Sequence, residues 1–142
     1  MIIFVAVDDN NGMMFHNRRQ SQDVLLRERL LEKCQGNKLW MNAYTSKQFE
    51  TPLPEHVIIE ENFLERAEKG EFCFVENLSL APYWEKIERL IVFRWNRVYP
   101  ADMWLDITLA EDGWKLLTTT EFVGNSHEKI TEEEWVSVYE IG

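Results

Sequence analysis

Short apolar runs alternate with amphipathic stretches along the first two thirds of the chain. The run Ile2–Val7 is apolar throughout, which is typical of a strand buried on both faces of a sheet, and polar turn residues 8–12 end it. Between Asp23 and Cys34, apolar and charged positions recur at helical spacing. This pattern predicts a helix with Ser21 as its N-cap and Gly36 as its stop.

Three further units of strand and helix follow. The strands are predicted at residues 38–42, 57–59, 72–75 and 90–93. The helices are predicted from the capping box at Thr45, from Asn62 to Lys69 before Gly70, and from Ser79 and Pro82 to about Glu88. Strand and helix thus alternate four times, which predicts a mainly parallel sheet with helices on both faces.

The pattern changes after Trp95. Met103–Ile107, Trp114–Phe122 and Trp135–Ile141 are predicted to be strands, without strong helices between them. Thr131–Glu134 matches a capping box and is interpreted as a helix start or a solvated turn rather than a metal site. We therefore expect one three-layer α/β domain over residues 1–142, with a mainly parallel central sheet and antiparallel C-terminal edge strands.

The composition of the chain excludes several classes of protein. With 142 residues, 45% of them hydrophobic, the chain can form a substantial core. The longest apolar run, Met1–Val7, is too short to span a bilayer and continues into Asp8 and Asp9, so we expect neither membrane insertion nor export. Cys34 and Cys73 have no CxxC spacing, which indicates buried thiols and a cytoplasmic location.

The net charge of −10 bears on possible partners, because it repels phosphate backbones at long range. Arg94-Trp95-Asn96-Arg97, followed by Tyr99, interleaves cations and aromatic rings as single-strand nucleic-acid binders do. A buried Trp95 flanked by surface arginines explains the same pattern. We therefore expect no nucleic-acid partner.

The order and spacing of several short stretches resemble dihydrofolate reductase. No single stretch is specific, and the resemblance rests on their order along nearly the whole chain. The matching stretches are Ile-Ile-Phe-Val-Ala-Val-Asp at 2–8, Gly12-Met13, Lys-Leu-Trp-Met-Asn-Ala-Tyr-Thr at 38–45, Pro-Leu-Pro at 52–54, Phe-Cys-Phe-Val at 72–75, Leu90–Phe93, Asp102, Glu121-Phe122 and Asn125-Ser126-His127. The resemblance implies that family's fold, a folate pocket and an NADPH site.

The sequence departs from the family at the positions that would hold the dinucleotide. Glu76-Asn77-Leu78 replaces a Gly-Gly that lets the backbone approach pyrophosphate, and a carboxylate there repels phosphate. Asn42-Ala43-Tyr44 replaces a glycine followed by basic residues. Glu60-Glu61-Asn62 runs into the next helix where the family inserts a strand that holds adenine. We therefore expect no NADPH site, and we assign no cofactor and no metal.

The sequence also departs from the family at the positions that would contact the substrate. Residues 17–23 replace the family's Leu-Pro-Trp lid segment, and Asp23 falls within one residue of the family's pocket carboxylate. The arginine that clamps the glutamate tail of folate is missing, with Glu55-His56 in its neighbourhood. The chain is therefore not expected to be an active dihydrofolate reductase.

The polar stretch from His16 to Asp23 is the principal candidate site, since it follows the first strand at the edge of the sheet where ligands bind. Its arginines could fork onto a carboxylate or phosphate, or pair with acidic neighbours in a solvated loop. Thr45 could present a hydroxyl and free amides to an anion, or act only as a helix cap. The expected ligand-binding residues are Asn17, Arg18, Arg19, Gln20, Ser21, Asp23 and Thr45.

The leading hypothesis is a protein that binds a small, anionic or nucleotide-like molecule on a dihydrofolate-reductase-like fold. The first alternative is a divergent NADPH-dependent reductase, and the second is a hydrolase or nuclease that uses His16 or His127. A third is an interaction protein that exposes some of its tryptophans: Trp84, Trp95, Trp104, Trp114 and Trp135. The sequence assigns neither a ligand nor an oligomeric state.

Overall fold

The apolar run Ile2–Val7 forms the central strand of a seven-stranded sheet. The structure, a computed structural model, describes residues 1–111 and 113–138. Its strands are β1 (Ile2–Val7), β2 (Gly12–Phe15), β3 (Arg18–Arg19), β4 (Leu39–Met41), β5 (Val57–Ile59), β6 (Phe72–Phe74), β7 (Arg89–Arg94), β8 (Met103–Trp104), β9 (Trp114–Phe122) and β10 (Ile130–Ser137). Its helices are α1 (Val24–Cys34), α2 (Ala43–Ser46), α3 (Phe63–Arg66) and a 3-10 helix (Ala81–Lys86).

The large sheet has the strand order β5-β4-β6-β1-β7-β10-β9. The first five strands run parallel, and β10 is antiparallel to both β7 and β9. This arrangement confirms the predicted mainly parallel sheet with antiparallel C-terminal edge strands. The carboxyl ends of β1, β6 and β7 therefore meet at one edge of the sheet.

Strand β1 supplies both of the cores that flank the sheet. Ile3, Val5 and Val7 point to the face covered by α3 and the 3-10 helix, while Phe4 points to the face covered by α1. Phe4 is fully buried, and its ring stacks on Phe72 at a centroid distance of 5.4 Å. A period of two along an extended chain thus explains why an unbroken apolar run is required here.

A second, three-stranded sheet of order β3-β2-β8 was not predicted. Strands β2 and β3 form a hairpin whose two turn residues, His16 and Asn17, have positive φ angles of 50° and 61°. Two successive left-handed residues are the geometry of a type I′ turn. The polar stretch after β1 is therefore only partly a loop. The strand predicted at Met103–Ile107 is shortened to β8.

Several predicted helix boundaries are wrong because other side chains act as caps. Asp23, not Ser21, caps α1: its carboxylate accepts from the amides of Leu25 and Leu26 at 2.9 and 3.2 Å. Asn42 caps α2 and places Thr45 inside the helix.

The other predicted helices are shorter or tighter than expected. Helix α3 ends at Arg66, before the predicted stop at Gly70. The helix predicted up to Glu88 is a single 3-10 segment that ends at Lys86. In both cases the helix length was overestimated.

The helix start or solvated turn predicted at Thr131–Glu134 is also wrong, because this segment belongs to β10. Alternation along the strand turns Glu132 under α1, where it is 4% exposed and pairs with Arg29 and Lys33 at 2.7 and 3.0 Å. The charged side chain of Glu132 thus occupies a buried strand position because α1 supplies its partners. The predicted last strand reached Ile141, and residues 139–141 lie outside the described part of the chain.

Cys34 and Cys73 are buried free thiols, as predicted, and burial raises the pKa of each to about 12. Neither thiol is therefore ionised or reactive at neutral pH. Across residues 1–111 and 113–138, the helices are all too short or too polar to traverse a bilayer.

Replacing Phe4 with alanine should lower the free energy of unfolding by about 3–5 kcal/mol, because a fully buried ring that stacks on Phe72 and Phe93 is lost. Val123, which is 71% exposed, provides the control, and its change to alanine should cost less than about 0.5 kcal/mol. Urea denaturation of the three proteins measures both values. Equal costs would contradict the assignment of Phe4 to the core.

Candidate functional site

Asp8, the residue directly after β1, gathers the segments at the carboxyl edge of the sheet. It is fully buried, and its carboxylate accepts from the amides of Asn10, Gly12 and Tyr99 at 2.9, 2.7 and 3.1 Å. The side-chain amide of Gln20 donates a fourth hydrogen bond at 3.1 Å. Burial alone would raise the pKa of Asp8, but these hydrogen bonds outweigh it and lower the pKa. Asp8 thereby ties the hairpin to the loop after β7.

Asp23 is a second buried carboxylate that joins separate segments, at the start of α1. Besides capping the helix, its carboxylate accepts from the amides of Asn125 and Ser126 at 3.0 and 2.8 Å and from Nδ1 of His127 at 3.0 Å. Burial would raise the pKa of Asp23, but the bonds from Asn125, His127 and Ser126 hold it well below its usual range. An ionised Asp23 therefore fixes the loop between β9 and β10 against α1.

The loop approaches Asp23 closely because residue 124 is glycine. A Cβ atom built on Gly124 would lie 2.5 Å from Oδ2 of Asp23. That distance is shorter than any side chain tolerates. Gly124 therefore allows the amides of Asn125 and Ser126 to reach the carboxylate.

His127 is the ring that connects Asp23 to the surface. It is 5% exposed and stacks on Trp95 at a centroid distance of 4.5 Å. Its Nε2 lies 3.0 Å from Oγ of Ser21 and 3.3 Å from the hydroxyl of Tyr99. Since a carboxylate only accepts, its bond to Asp23 places a proton on Nδ1, and in the neutral ring Nε2 accepts from a hydroxyl.

Arg19 is held by Glu76, at the carboxyl end of β6. The guanidinium donates to both carboxylate oxygens of Glu76, at 2.9 and 3.2 Å, and to the carbonyl of Tyr44 at 3.1 Å. It also lies 4.5 Å above the centre of the Tyr44 ring, and the tyrosine hydroxyl accepts from the Arg19 amide. This arginine is therefore fully engaged within the fold.

Arg18 is placed differently from its neighbour. Its side chain is exposed and forms no ion pair with any residue in 1–111 or 113–138. It borders an open cleft of about 440 Å³, whose lining residues are Phe15, His16, Arg18, Arg19, Gln20, Tyr99 and Pro100. An unpaired guanidinium thus faces a space large enough for a small molecule.

The remaining predicted residues have distinct environments. Asn17 is exposed at the tip of the hairpin, and Gln20 lies in the cleft wall with its amide nitrogen on Asp8. Thr45 is fully buried, and its Oγ1 has no hydrogen-bond partner among the described residues. Arg18, Arg19 and Gln20 are thus brought to one cleft.

Sequence reasoning missed the partners that complete the site. Nothing along the chain linked Tyr99 or Trp95 to His127, although Asn125-Ser126-His127 stood out in the resemblance. His16 is exposed and stacks on Phe15. It is not among the residues described in contact with the His127 ring. The described residues contain no group of three or more His, Cys, Asp or Glu arranged to share a metal ion.

The tryptophans differ in their exposure to solvent. Trp84 and Trp104 are 44% and 51% exposed, whereas Trp95 and Trp114 are buried. Trp135 is partly buried, so two of the five tryptophans proposed for an apolar interaction surface are exposed to solvent.

A comparison with solved structures supports the fold. The sequence matches no known protein-family profile and no curated protein sequence. Among solved structures, the chain is similar to a dihydrofolate reductase from Enterococcus faecalis complexed with NADP(H) and RAB-propyl. The TM-score is 0.65 at 14% identity, over 95% of this chain and 94% of that one. The chain therefore has a dihydrofolate-reductase-like fold, as its sequence predicted.

Replacing Asp23 with asparagine should lower the free energy of unfolding by about 1–3 kcal/mol, because an NH₂ group would face N–H donors from Ser126 or His127. Asp9 is exposed, and its change to asparagine should alter stability by less than about 0.5 kcal/mol. Urea denaturation at pH 7 compares the two variants. Equal effects would contradict the anchoring role of Asp23.

The lowered pKa values of Asp8 and Asp23 also predict a pH dependence of stability. Carboxyls with a depressed folded-state pKa contribute stability above their ordinary pKa of 3.8, and this contribution is lost as the pH falls below that value. The urea midpoint should therefore decrease between pH 5 and pH 3. Asp23→Asn should show a smaller decrease in the urea midpoint. An equal decrease in that variant would contradict the lowered pKa of Asp23.

Proposed function

We propose that this chain binds a small anionic molecule in the cleft beside the β2–β3 hairpin and does not hold a dinucleotide. The observation that carries the proposal is the unpaired Arg18 at the mouth of that cleft. Eight of the 15 lysines and arginines form ion pairs with acidic side chains among the described residues, and Arg18 is one of those that do not. An exposed guanidinium without such a partner is the natural contact for a ligand carboxylate or phosphate.

The surroundings of Arg18 support a ligand with an apolar body. Phe15 and Pro100 contribute ring surface to the same cleft, and Tyr99 adds a phenol. Asp8 and the hairpin hold these groups in place before any ligand arrives. Preorganisation of this kind lowers the entropic cost of binding.

The contacts of Glu76 support the absence of a dinucleotide site. Glu76 is 9% exposed and bonded to Arg19, and the side chain of its neighbour Asn77 accepts from the amide of Asn42 at 2.9 Å. A pyrophosphate in this place would have to displace the Glu76–Arg19 pair and would meet a carboxylate. Leaving either charge unpaired there is costly. The solved reductase that resembles this chain is complexed with NADP(H), and its fold alone does not carry that ligand over.

A thermal-shift titration tests the proposal with inorganic phosphate, aromatic carboxylates, mononucleotides, a folate, a pterin and NADPH. A ligand at about 100 times its Kd should stabilise the protein by about 2.7 kcal/mol. Arg18→Ala should abolish the shift given by the anion that binds. Arg66→Ala should leave it intact, since Arg66 is an exposed arginine on α3 that pairs with Glu60.

Two results would count against the proposal. Stabilisation by NADPH would support the divergent-reductase alternative. A shift that persists in Arg18→Ala would place the ligand somewhere other than this cleft.

A further inference from the structure

Asp23, His127 and Ser21 form a continuous chain of carboxylate, imidazole and hydroxyl. Oδ2 of Asp23 lies 3.0 Å from Nδ1 of His127, and Nε2 of the same ring lies 3.0 Å from Oγ of Ser21. Asp23 and His127 are 2% and 5% exposed, whereas Ser21 is only partly buried. The buried end of the chain is thus an ionised acid, and the less buried end is a hydroxyl.

A structural role accounts for only part of this arrangement. The amides of Leu25, Asn125 and Ser126, together with the Ser126 hydroxyl, already bond Asp23 to the helix start and to the loop. In its neutral form Nε2 accepts one hydrogen, yet the hydroxyls of Ser21 and Tyr99 both lie within reach of it. One hydroxyl is therefore in excess and can turn its hydrogen towards the cleft, which Tyr99 lines.

We propose that Ser21 is the nucleophile of an ester hydrolase, with His127 as its general base and Asp23 as the residue that orients His127. The order of roles is that of a Ser-His-Asp triad, which is recognised by geometry and not by sequence position. Trp95 fixes the plane of the imidazole by stacking on it. Asp23 stays ionised and stabilises the imidazolium that forms.

The reaction needs only water as a second reactant. Oγ of Ser21 attacks the carbonyl carbon of the ester, and its proton passes to Nε2 of His127. The hydroxyl of Tyr99 donates to the oxyanion, after which the bond to the alcohol breaks and the leaving oxygen takes the proton from Nε2. Water then attacks the acyl-serine by the same route, releasing the acid and restoring Ser21.

The substrate class follows from the cleft and rests on the proposed function. Arg18 borders the cleft, and so does Tyr99, whose hydroxyl shares Nε2 of His127 with Oγ of Ser21. An ester that carries a carboxylate or phosphate could therefore place its anion on Arg18 and its carbonyl at Ser21. Neutral esters would react at the same serine but bind less tightly.

Labelling with a fluorophosphonate and hydrolysis of 4-nitrophenyl acetate test the nucleophile on the full chain. We expect one adduct per chain, located on Ser21 by peptide mass spectrometry. Ser21→Ala and His127→Ala should each lower hydrolysis by about 100-fold or more, and the double variant should be no slower than either single one. Ser79→Ala is the matched control, because Ser79 donates to the carboxylate of Asp106 but has no described contact with a histidine.

Ser21→Ala removes one hydroxyl at a partly exposed site, so circular dichroism should show a native fold even where His127→Ala unfolds. No adduct on Ser21, or equal hydrolysis by Ser21→Ala and the native chain, would overturn the proposal. The readouts separate the two proposals: labelling of Ser21 and hydrolysis of the neutral ester test the nucleophile, whereas the thermal shift with anions tests binding at Arg18. Labelling of Ser21 without a thermal shift in any anion would support Ser21 as the nucleophile and contradict only the binding of an anionic ligand.

Discussion

Two buried carboxylates impose the constraint on which the site depends. A carboxylate brings no hydrogen of its own, so each one buried at Asp8 and Asp23 must be surrounded by donors supplied by other segments. Those donors come from the hairpin, from the loop after β7 and from the loop between β9 and β10. The positions of three separate segments are thus set by two side chains.

The parts of the fold that were predictable are those in which local pattern and burial agree. Strands β1, β5 and β9 have the predicted bounds, and α1 differs only in its cap. The sheet of β2, β3 and β8 was missed because its strands have four, two and two residues. Such short strands carry no periodicity, and their order depends on pairing Gly12 with Trp104.

The candidate cleft contains residues of the predicted polar stretch, but the other contacts of that stretch could not be predicted from sequence. The polar stretch after β1 was recognised because it follows a buried strand at the carboxyl edge. Its partners were not, since Glu76 lies 57 residues beyond Arg19 and His127 lies 104 beyond Asp23. Sequence shows neither which arginine is neutralised nor which hydroxyl meets an imidazole. Glu132 illustrates the same limit, because its burial depends on cations carried by α1.

The loop between β9 and β10 is held to α1 chiefly by charge-assisted hydrogen bonds, whereas the sheet beneath it is held by apolar packing. These forces respond to different conditions, since protonation of Asp23 weakens the first and leaves the second unchanged. Release of Asp23 would free residues 124–127 and uncover His127 without disturbing the strands. A local opening of this kind costs less free energy than global unfolding.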